Sequence, residues 1–328
     1  MSDVVPAAPD DVMRHTYDSL IGMWMENFAQ NITAVRSGKD LQNLPKKPEA
    51  CICIGGGPSL KKFNHLKKIK DSGWKHPILT CDKELVNCLE MGLKPYLVAT
   101  VDASPIIRKF YKHKLVKKAT DINAAFNVTV HPLVRNSFRG PVYWYVAMMD
   151  PVQDAAGKLN RRSPTYILYL LSGRKAVISG IGNVGSFLWN VATDLQCSPI
   201  ILVGYDFSEQ VKDKAQAVYF PAFTAMYMQK YPNNPEKAQN LAADLHQVEV
   251  NKDFIAPFTD LPYMKKGEHP HYLVNPMWKR YRESLAMHIV ASKKHTINAS
   301  GNGCLTTEAI KCENFEASNL EAVLEKYG

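Results

Sequence analysis

A glycine-rich turn that could hold an anion is the first chemical signal in this chain of 328 residues. Residues 50–60 read ACICIGGGPSL, an apolar run that breaks at Gly55, Gly56 and Gly57 before Pro58 and Ser59. Glycines leave no side chain between backbone N–H groups and a bound anion, and proline suits the first turn of a helix. Because a helix N-terminus attracts negative charge, this strand-to-helix turn is predicted to bind phosphate. A tight turn without a ligand is the alternative.

A second glycine-rich turn, SGIGNVGS at 179–186, matches the G-x-G-x-x-G pattern and contains Ser179, Gly180 and Asn183. Asp206 ends the next apolar run, where a ribose-binding carboxylate would be expected. Taken alone, this pattern favours an enzyme that uses a nicotinamide or flavin dinucleotide. The first turn is not a P-loop, because no Gly-Lys-Ser/Thr follows it, and it is not a full dinucleotide fingerprint, because Leu60 stands where the third glycine of that pattern would be expected. In a dinucleotide enzyme the first turn would therefore be an unexplained duplicate of the second.

Aspartates recur where apolar runs end, at Asp82, Asp102 and Asp206. The carboxyl ends of parallel strands form the ligand crevice of an open sheet, so these residues are predicted to converge with the glycine turns. Aspartates there can bind ribose hydroxyls, hold Mg²⁺ or act as a base. For Asp82 the alternative is a helix N-cap.

Two histidines, His269 and His271, follow a stretch that contains Tyr219, Tyr227 and Tyr231. Histidine titrates near neutrality and can take a proton from an attacking hydroxyl. Two histidines without a third ligand make a poor zinc site, and a solvated loop histidine is the alternative.

Apolar runs that alternate with helix-compatible stretches must position these residues. The runs are nearly continuous in Val, Ile, Leu and Cys, which is typical of strands buried on both faces. They lie at 50–54, 77–81, 96–101, 124–130, 142–147, 175–179, 199–204 and 295–298, with helix-compatible stretches at 59–71, 83–91, 104–118 and 184–196. The pattern predicts a Rossmann-like α/β fold, a mostly parallel sheet with helices on both faces.

Two segments depart from this alternation. Residues 11–37 have apolar side chains at helical spacing, which predicts an N-terminal helical arm over 1–48 that needs a surface to cover. Residues 49–328 are predicted to form the core, with an inserted helical lid at about 208–282, where the sequence is rich in Lys, Tyr, Met and Pro.

Composition narrows the class of protein. The chain is 46% hydrophobic and 22% charged, as in ordinary globular proteins, and has no apolar run long enough to span a bilayer, so we expect a cytoplasmic protein. Seven scattered cysteines, an odd number without a C-x-x-C pair, are expected to be buried hydrophobic residues. The net charge of +9 includes lysine clusters at 61–70 and 109–118, which could attract phosphorylated ligands or nucleic acid or could be solvated helix faces.

The order of these motifs resembles the MptE-like superfamily. The resemblance covers about residues 20–305 and depends on IGGGPSL, GLKPYLVATVDAS, SGIGNVGSFLWNVATDLQCSPIILVGYDFSE and INASGNG. This superfamily includes archaeal 6-hydroxymethyldihydropterin diphosphokinases and the central domain of Maf flagellin glycosyltransferases, which is related to small bacterial sialyltransferases. The arm fits too, because MWMENFAQNITAV is similar to the W-x-x-N-x-x-x-N segment of the glycosyltransferase-type members.

The resemblance implies roles for individual residues. Residues 55–59 would hold nucleotide phosphate, and the remaining nucleotide-binding residues would be Asp82, Asp102, Ser179, Gly180, Asn183, Asn298, Ser300 and Gly301. In the sialyltransferase order, Tyr219 would assist departure of the phosphate, and His269 or His271 would be the general base, with Asp206 nearby. The chain departs from that pattern at Ser208, where the sialyltransferases carry a tyrosine.

The function that follows is a nucleotide-dependent transferase. The first hypothesis is a glycosyltransferase that moves a CMP-activated, nonulosonic-acid-type sugar to a hydroxyl acceptor, which could be a glycan, a protein or a nucleic acid. The second is an ATP-dependent pyrophosphokinase that acts on 6-hydroxymethyl-dihydropterin, with Mg²⁺ held by Asp82 and Asp102. The third, from another class, is a non-catalytic protein that binds nucleotides or nucleic acid.

Overall fold

The computed structural model describes residues 11–150, 152–153, 156–179, 182–210, 227–244, 247–253 and 271–328. The helices are α1 (Asp11–Ser37), α2 (Ser59–Lys62), α3 (His65–Asp71), α4 (Asp82–Glu90), α5 (Arg108–Tyr111), α6 (Lys114–Lys118), α7 (Pro132–Ser137), α8 (Pro164–Leu171), α9 (Val184–Asp194), α10 (Pro235–Asp244), α11 (Pro276–Ser292) and α12 (Leu320–Tyr327). Short 3₁₀ helices span Leu41–Asn43 and Pro105–Ile107.

The strands are β1 (Lys39–Asp40), β2 (Cys51–Ile54), β3 (Ile78–Cys81), β4 (Leu97–Thr100), β5 (Asn123–Asn127), β6 (Val142–Met148), β7 (Val177–Ser179), β8 (Ile200–Val203), β9 (Glu209–Gln210), β10 (Gln247–Val250), β11 (His271–Val274), β12 (Thr296–Asn298) and β13 (Phe315–Ala317). The chain divides into two compact units. Unit 1 takes its described residues from 11–49 and 77–197, and unit 2 takes its own from 50–76 and 198–328.

Unit 1 is built on a parallel sheet in the order β1-β6-β5-β4-β3, and β7 also pairs with β6 in parallel. Its core includes the buried aromatic rings of Tyr111, Phe126, Phe138 and Trp144, which meet in edge-to-face pairs. Helix α1 adds Phe28 and Val35, among others, to this core. The predicted arm is therefore a helix that packs within unit 1, and its apolar face is covered by the sheet's own core.

Unit 2 contains the parallel sheet β2-β8-β12-β13. All four residues of β2 and all four of β8 are buried, as their unbroken apolar sequences predict. Strands β2 to β8 and β12 match the predicted apolar runs, whereas β1 and β13 lie outside them. The Rossmann-like α/β prediction is confirmed.

The predicted helical lid at about 208–282 includes strands as well as helices. In its described part, β11 pairs antiparallel with both β10 and β9 to make a small three-stranded sheet beside α10. The sequences QVEV and HYLV supply the β-branched and aromatic residues that favour strands. The predicted lid did not include these strands, because QVEV and HYLV are short runs in a segment rich in Lys, Tyr, Met and Pro.

Six of the seven cysteines are buried and Cys312 is partly so, in agreement with their predicted role as small hydrophobic residues. Among the described residues no helix combines the length and the apolar character needed to cross a lipid bilayer.

Candidate functional site

Asp206 is the centre of a hydrogen-bonded cluster in unit 2. Its side chain, in a residue only 1% exposed, accepts the Ser59 hydroxyl at 2.7 Å through Oδ2 and the Asn302 side-chain amide at 2.9 Å through Oδ1. Burial raises the pKa of Asp206 to about 6, although the bonds from Ser59 and Asn302 oppose that rise. Both oxygens are engaged, so Asp206 joins the first glycine turn to the 299–304 turn, and a role as a base would require it to exchange these partners.

Glycines allow these two turns to approach so closely. A Cβ atom on Gly57 would lie 1.9 Å from Asp206 Oδ2, and one on Gly55 would lie 2.6 Å from the carbonyl oxygen of Gly204. Gly303 has φ +84°, and its Cβ would lie 2.3 Å from the backbone oxygen of Asp206. The glycines at 55, 57 and 303 are therefore required by packing, whatever ligand the turn binds.

The backbone amides of the first turn are largely used inside the protein. Those of Gly55 and Gly57 donate to the carbonyl oxygens of Val203 and Gly204, at 2.8 and 2.9 Å. The Ser59 amide lies 3.4 Å from Asp206 Oδ2, while Gly56 is exposed. The predicted helix over 59–71 is broken after α2 by Asn64, at φ 52°, so its dipole is much weaker than the sequence suggested. Phosphate binding at Gly55, Gly56, Gly57, Pro58 and Ser59 remains a prediction, and Gly56 and Pro58 are the exposed residues of the turn.

The cluster extends from Asp206 to the strand that carries His271. The Tyr272 hydroxyl donates to Oδ1 of Asn302, whose amide in turn donates to Asp206. Tyr272 is fully buried in β11, which begins at His271. Strand β11 and the glycine turn are thereby fixed to each other within unit 2. The other residues of the predicted catalytic group, His269 and Tyr219, lie outside the described residues.

The 298–303 turn keeps its shape through its own polar groups. Asn298 Oδ1 accepts the Ser300 amide at 3.1 Å, and Asn298 Nδ2 donates to the carbonyl oxygen of Leu305 at 2.7 Å. The buried Ser300 hydroxyl accepts the amide of Tyr205 at 2.9 Å. The polar groups of Asn298 and Ser300 thus hold the turn in shape. Gly301, at φ +64°, was also predicted to bind the nucleotide, and it could do so only through its backbone.

A polar pocket opens on the same side of unit 2. It is a shallow depression with an enclosed volume of about 10 Å³, room for roughly one water molecule, and is lined by Asn251, Asp253, Asn298, Gly301, Asn302, Leu305, Ala317 and Ser318. Its lining offers amide and hydroxyl groups that can donate or accept hydrogen bonds.

The second glycine turn lies in unit 1, where Asn183 caps helix α9. Asn183 Oδ1 accepts the backbone amide of Ser186 at 3.0 Å, and the carbonyl oxygen of Ser179 accepts the Asn190 side chain at 2.6 Å. Gly180 falls outside the described residues. The capping geometry explains the asparagine at 183 without a ligand.

Asp82 and Asp102 follow adjacent strands of unit 1. Asp82 is the first residue of α4, 6% exposed, and its Oδ2 accepts the Thr100 hydroxyl at 3.0 Å. That hydroxyl is also 2.6 Å from the Tyr111 hydroxyl, so a buried chain of polar groups runs from Asp82 into the core. Burial raises the pKa of Asp82 to about 6, and the charge of Asp102 adds to the rise.

Asp82 and Asp102 could take part in holding Mg²⁺. Asp102 is exposed and accepts the Ser104 amide at 2.7 Å through one oxygen. Mg²⁺ in nucleotide-using enzymes is commonly held by one or two carboxylates together with phosphate oxygens, and this pair meets that minimum. The described residues contain no group of three or more His, Cys, Asp or Glu that could hold a metal. The convergence of Asp82, Asp102 and Asp206 stays a prediction.

Asn27 and Asn31 have a role that the sequence motifs did not reveal. Asn27 Nδ2 donates to the carbonyl oxygens of Ala103 and Thr129, at 2.9 and 3.1 Å. Asn31 Nδ2 donates to those of Val128 and Val130, at 3.2 and 2.6 Å. Helix α1 therefore fixes the loops that follow β4 and β5, one of which carries Asp102. The signal was present, because two asparagines four residues apart on an apolar helix face must find buried partners.

Comparisons with known proteins agree with the fold and the motif order. The sequence model of a family described as "6-hydroxymethylpterin diphosphokinase MptE-like" matches residues 24–212. Among solved structures, the chain is similar to the Maf glycosyltransferase from Magnetospirillum magneticum AMB-1, with 14% identity and a TM-score of 0.52. That likeness covers 91% of this chain but 38% of the glycosyltransferase, so this chain spans well under half of its length. No curated protein sequence matches the chain significantly.

Proposed function

The chain belongs to the MptE-like family, and from this premise we propose that it is a nucleotide-dependent transferase. The family's description names a diphosphokinase, and the similar solved structure is that of a glycosyltransferase. Both reactions move a group from a nucleotide or its activated sugar to a hydroxyl acceptor. We propose the glycosyl transfer, with a CMP-activated, nonulosonic-acid-type sugar as donor.

One observation carries this choice, the chain of hydrogen bonds from Tyr272 through Asn302 and Asp206 to Ser59. It fixes the strand that begins at His271 to the glycine turn inside one compact unit. A transfer to a hydroxyl needs a base and a leaving-phosphate site at a fixed separation, because misplacement by about 1 Å can cost 100-fold in rate. The likeness to the Maf glycosyltransferase extends over 91% of the chain, whereas the family match ends at residue 212, before β11 begins.

The proposed roles follow from this arrangement. The acceptor hydroxyl attacks the anomeric carbon of the donor while His271, or His269, takes its proton. Charge that develops on the departing CMP phosphate is met by donors of the first glycine turn and by Tyr219. The polar groups beside Gly301 contact the ribose or the base at the surface.

Thermal-shift and calorimetric titration with CMP, CDP, ATP, UDP and NAD test the proposal. We expect CMP and CDP to stabilise the protein more than ATP or UDP do, as the proposed CMP-activated donor requires. Replacement of His271 by Gln should abolish sugar transfer and leave CMP binding intact. Stabilisation by NAD alone would overturn the proposal.

Pyrophosphoryl transfer from ATP to a hydroxymethylpterin is the second candidate, favoured by the family description. Asp82 and Asp102 would then hold the Mg²⁺, which neutralises phosphate charge when bound. Release of AMP from ATP only when the pterin alcohol is present would favour this candidate. If Asp102→Asn no longer releases AMP, and neither the wild type nor the variant binds CMP, the reaction is pyrophosphoryl transfer and not glycosyl transfer.

A further inference from the structure

The positive charge of the chain is concentrated in one short segment of unit 1. Residues 105–140 contain eight Lys and Arg residues and a single acidic residue, Asp121, so they hold a net charge of +7 out of the chain's +9. Asp121 itself pairs with Lys94. The basic residues are Arg108, Lys109, Lys112, Lys114, Lys117, Lys118, Arg135 and Arg139.

This segment folds into adjoining short elements that form one surface. The 3₁₀ helix Pro105–Ile107 leads directly into α5 and packs, with α5, against α7. Arg108 Nε also donates to the Ser137 hydroxyl at 3.2 Å, which links α5 to α7. The five lysines are all exposed. We call the exposed side of residues 105–118 and 132–139 the basic surface.

Two large apolar side chains are exposed on the basic surface. Ile106 is 59% exposed and Leu133 is 40% exposed, although the elements that carry them pack against each other. The core side chains of these elements, such as Ile107 and Val134, are buried, whereas Ile106 and Leu133 remain open to solvent. Exposed aliphatic groups among lysines gain nothing from the phosphates of a nucleic acid, but they gain free energy by entering a bilayer.

Few acidic groups oppose the basic surface. Glu90 of α4 lies 3.8 Å from His113, and Asp102, whose Oδ1 accepts the Ser104 amide, precedes the 3₁₀ helix. These two carboxylates lie beside lysines that outnumber them, and the surface stays strongly positive.

We propose that the basic surface docks on an anionic phospholipid bilayer. The lysines contact the lipid phosphates, and Ile106 and Leu133 enter the boundary between headgroups and acyl chains. Each lysine or arginine near an anionic leaflet contributes about 1 kcal/mol at physiological salt, so four lysines suffice for stable attachment together with two aliphatic side chains. The docked surface adjoins the loop of Asp102 and would direct the carboxyl edge of the unit 1 sheet toward lipid-borne or membrane-proximal acceptors.

Vesicle flotation of the full chain tests this inference. The probes are phosphatidylcholine vesicles with and without phosphatidylglycerol, and a duplex DNA of random sequence. We expect binding to the anionic vesicles only. Binding should weaken roughly 100-fold or more in the variant with Lys109, Lys112, Lys117 and Lys118 changed to Gln.

Two further variants separate charge from apolar insertion. The control changes Lys61, Lys67, Lys70 and Lys311 to Gln, which removes the same charge from unit 2, and it should bind nearly as wild type does. Ile106→Ser with Leu133→Ser keeps the charge and should weaken binding about 10-fold or more, since burial of an aliphatic side chain contributes roughly 1.5–3 kcal/mol. Circular dichroism verifies that every variant is folded.

Three outcomes would overturn the proposal. They are no binding to anionic vesicles at physiological salt, an equal loss in the unit 2 control, and vesicle binding that the Ile106 and Leu133 changes leave intact. Tight binding to DNA that falls steeply with salt, without vesicle binding, would identify nucleic acid as the partner instead.

Discussion

The hydroxyl oxygen of Ser59 lies 2.7 Å from Oδ2 of Asp206, and the bond joins residues 147 positions apart in the chain. Asp206 is 1% exposed, so few water molecules could replace this donor. A buried carboxylate that loses a donor is left with a large desolvation cost. The bond is thus a main support of the turn to which we assign the donor phosphate.

The first prediction concerns this bond. Ser59→Ala should lower the free energy of unfolding by about 1.5–3 kcal/mol, the usual value for a hydrogen bond to a charged group. Ser72→Ala is the matched control, because the exposed Ser72, which follows α3, donates through its hydroxyl to the neutral backbone oxygen of Ile69. Urea unfolding of both variants measures the difference. Equal losses would mean that the carboxylate does not depend on Ser59.

The second prediction concerns the glycine of the same turn. Gly57→Ala would place a Cβ 1.9 Å from Asp206 Oδ2, so the carboxylate or the backbone of 204 must move. We expect destabilisation of about 1–3 kcal/mol together with weaker nucleotide binding. Gly22→Ala is the control, because no atom lies within 4 Å of its Cβ position in α1 and alanine favours a helix by roughly 0.5–1 kcal/mol. A Gly57 variant as stable as wild type would show that the turn can relax.

The third prediction concerns pH and Asp82. Its pKa is about 6 in the folded protein, above the ordinary value of 3.8, because burial disfavours the charge. The folded state therefore holds the proton more tightly than the unfolded state does. The stability that this group contributes is fully present below about pH 4 and is lost as pH rises to about 6, by roughly 3 kcal/mol.

Thermal unfolding of wild type and Asp82→Asn from pH 4 to 8 isolates this contribution. The free energy of unfolding of wild type, taken relative to the variant, should fall between pH 4 and 6 and stay level above. Asp121→Asn is the control, because a hydrogen bond from Lys94 lowers the pKa of that exposed carboxyl below its ordinary value of 3.8. Its small stabilisation should be constant from pH 4 to 8 and be lost only as pH falls further, through the lowered pKa. A difference for Asp82→Asn that does not change with pH would contradict the raised pKa.

Much of the fold follows from apolar runs and their spacing. Strands such as β2 and β8 are continuous in Val, Ile, Leu and Cys because helices or loops cover both faces, and this makes them easy to find. Strands β10 and β11 were missed because each is only four residues long and lies in a segment rich in Lys, Tyr, Met and Pro, which was predicted to form a lid.

The site is less predictable from sequence, because the partners that fix its residues are distant in the chain. The glycines at 55 and 57 suggested a phosphate-binding turn. In the structure, a side chain at either position would collide with Gly204 or Asp206, so packing alone requires glycine there. Asp206 suggested a base or a ribose ligand, yet its oxygens are bound by Ser59 and Asn302. No local pattern reveals these contacts.

The last prediction concerns the asparagines of α1. Asn31 donates two hydrogen bonds to the carbonyl oxygens of Val128 and Val130, which are buried after β5. Asn31→Ala leaves both oxygens without that donor, and each such loss costs about 1–3 kcal/mol, so the variant should unfold several kcal/mol more easily. Gln30→Ala, one residue away on the exposed face of α1, should change stability by less than about 0.5 kcal/mol. Hydrogen exchange at the amides of 128–130 measures the local effect. If exchange there is unchanged while global stability falls, Asn31 supports α1 alone and not the loop it contacts.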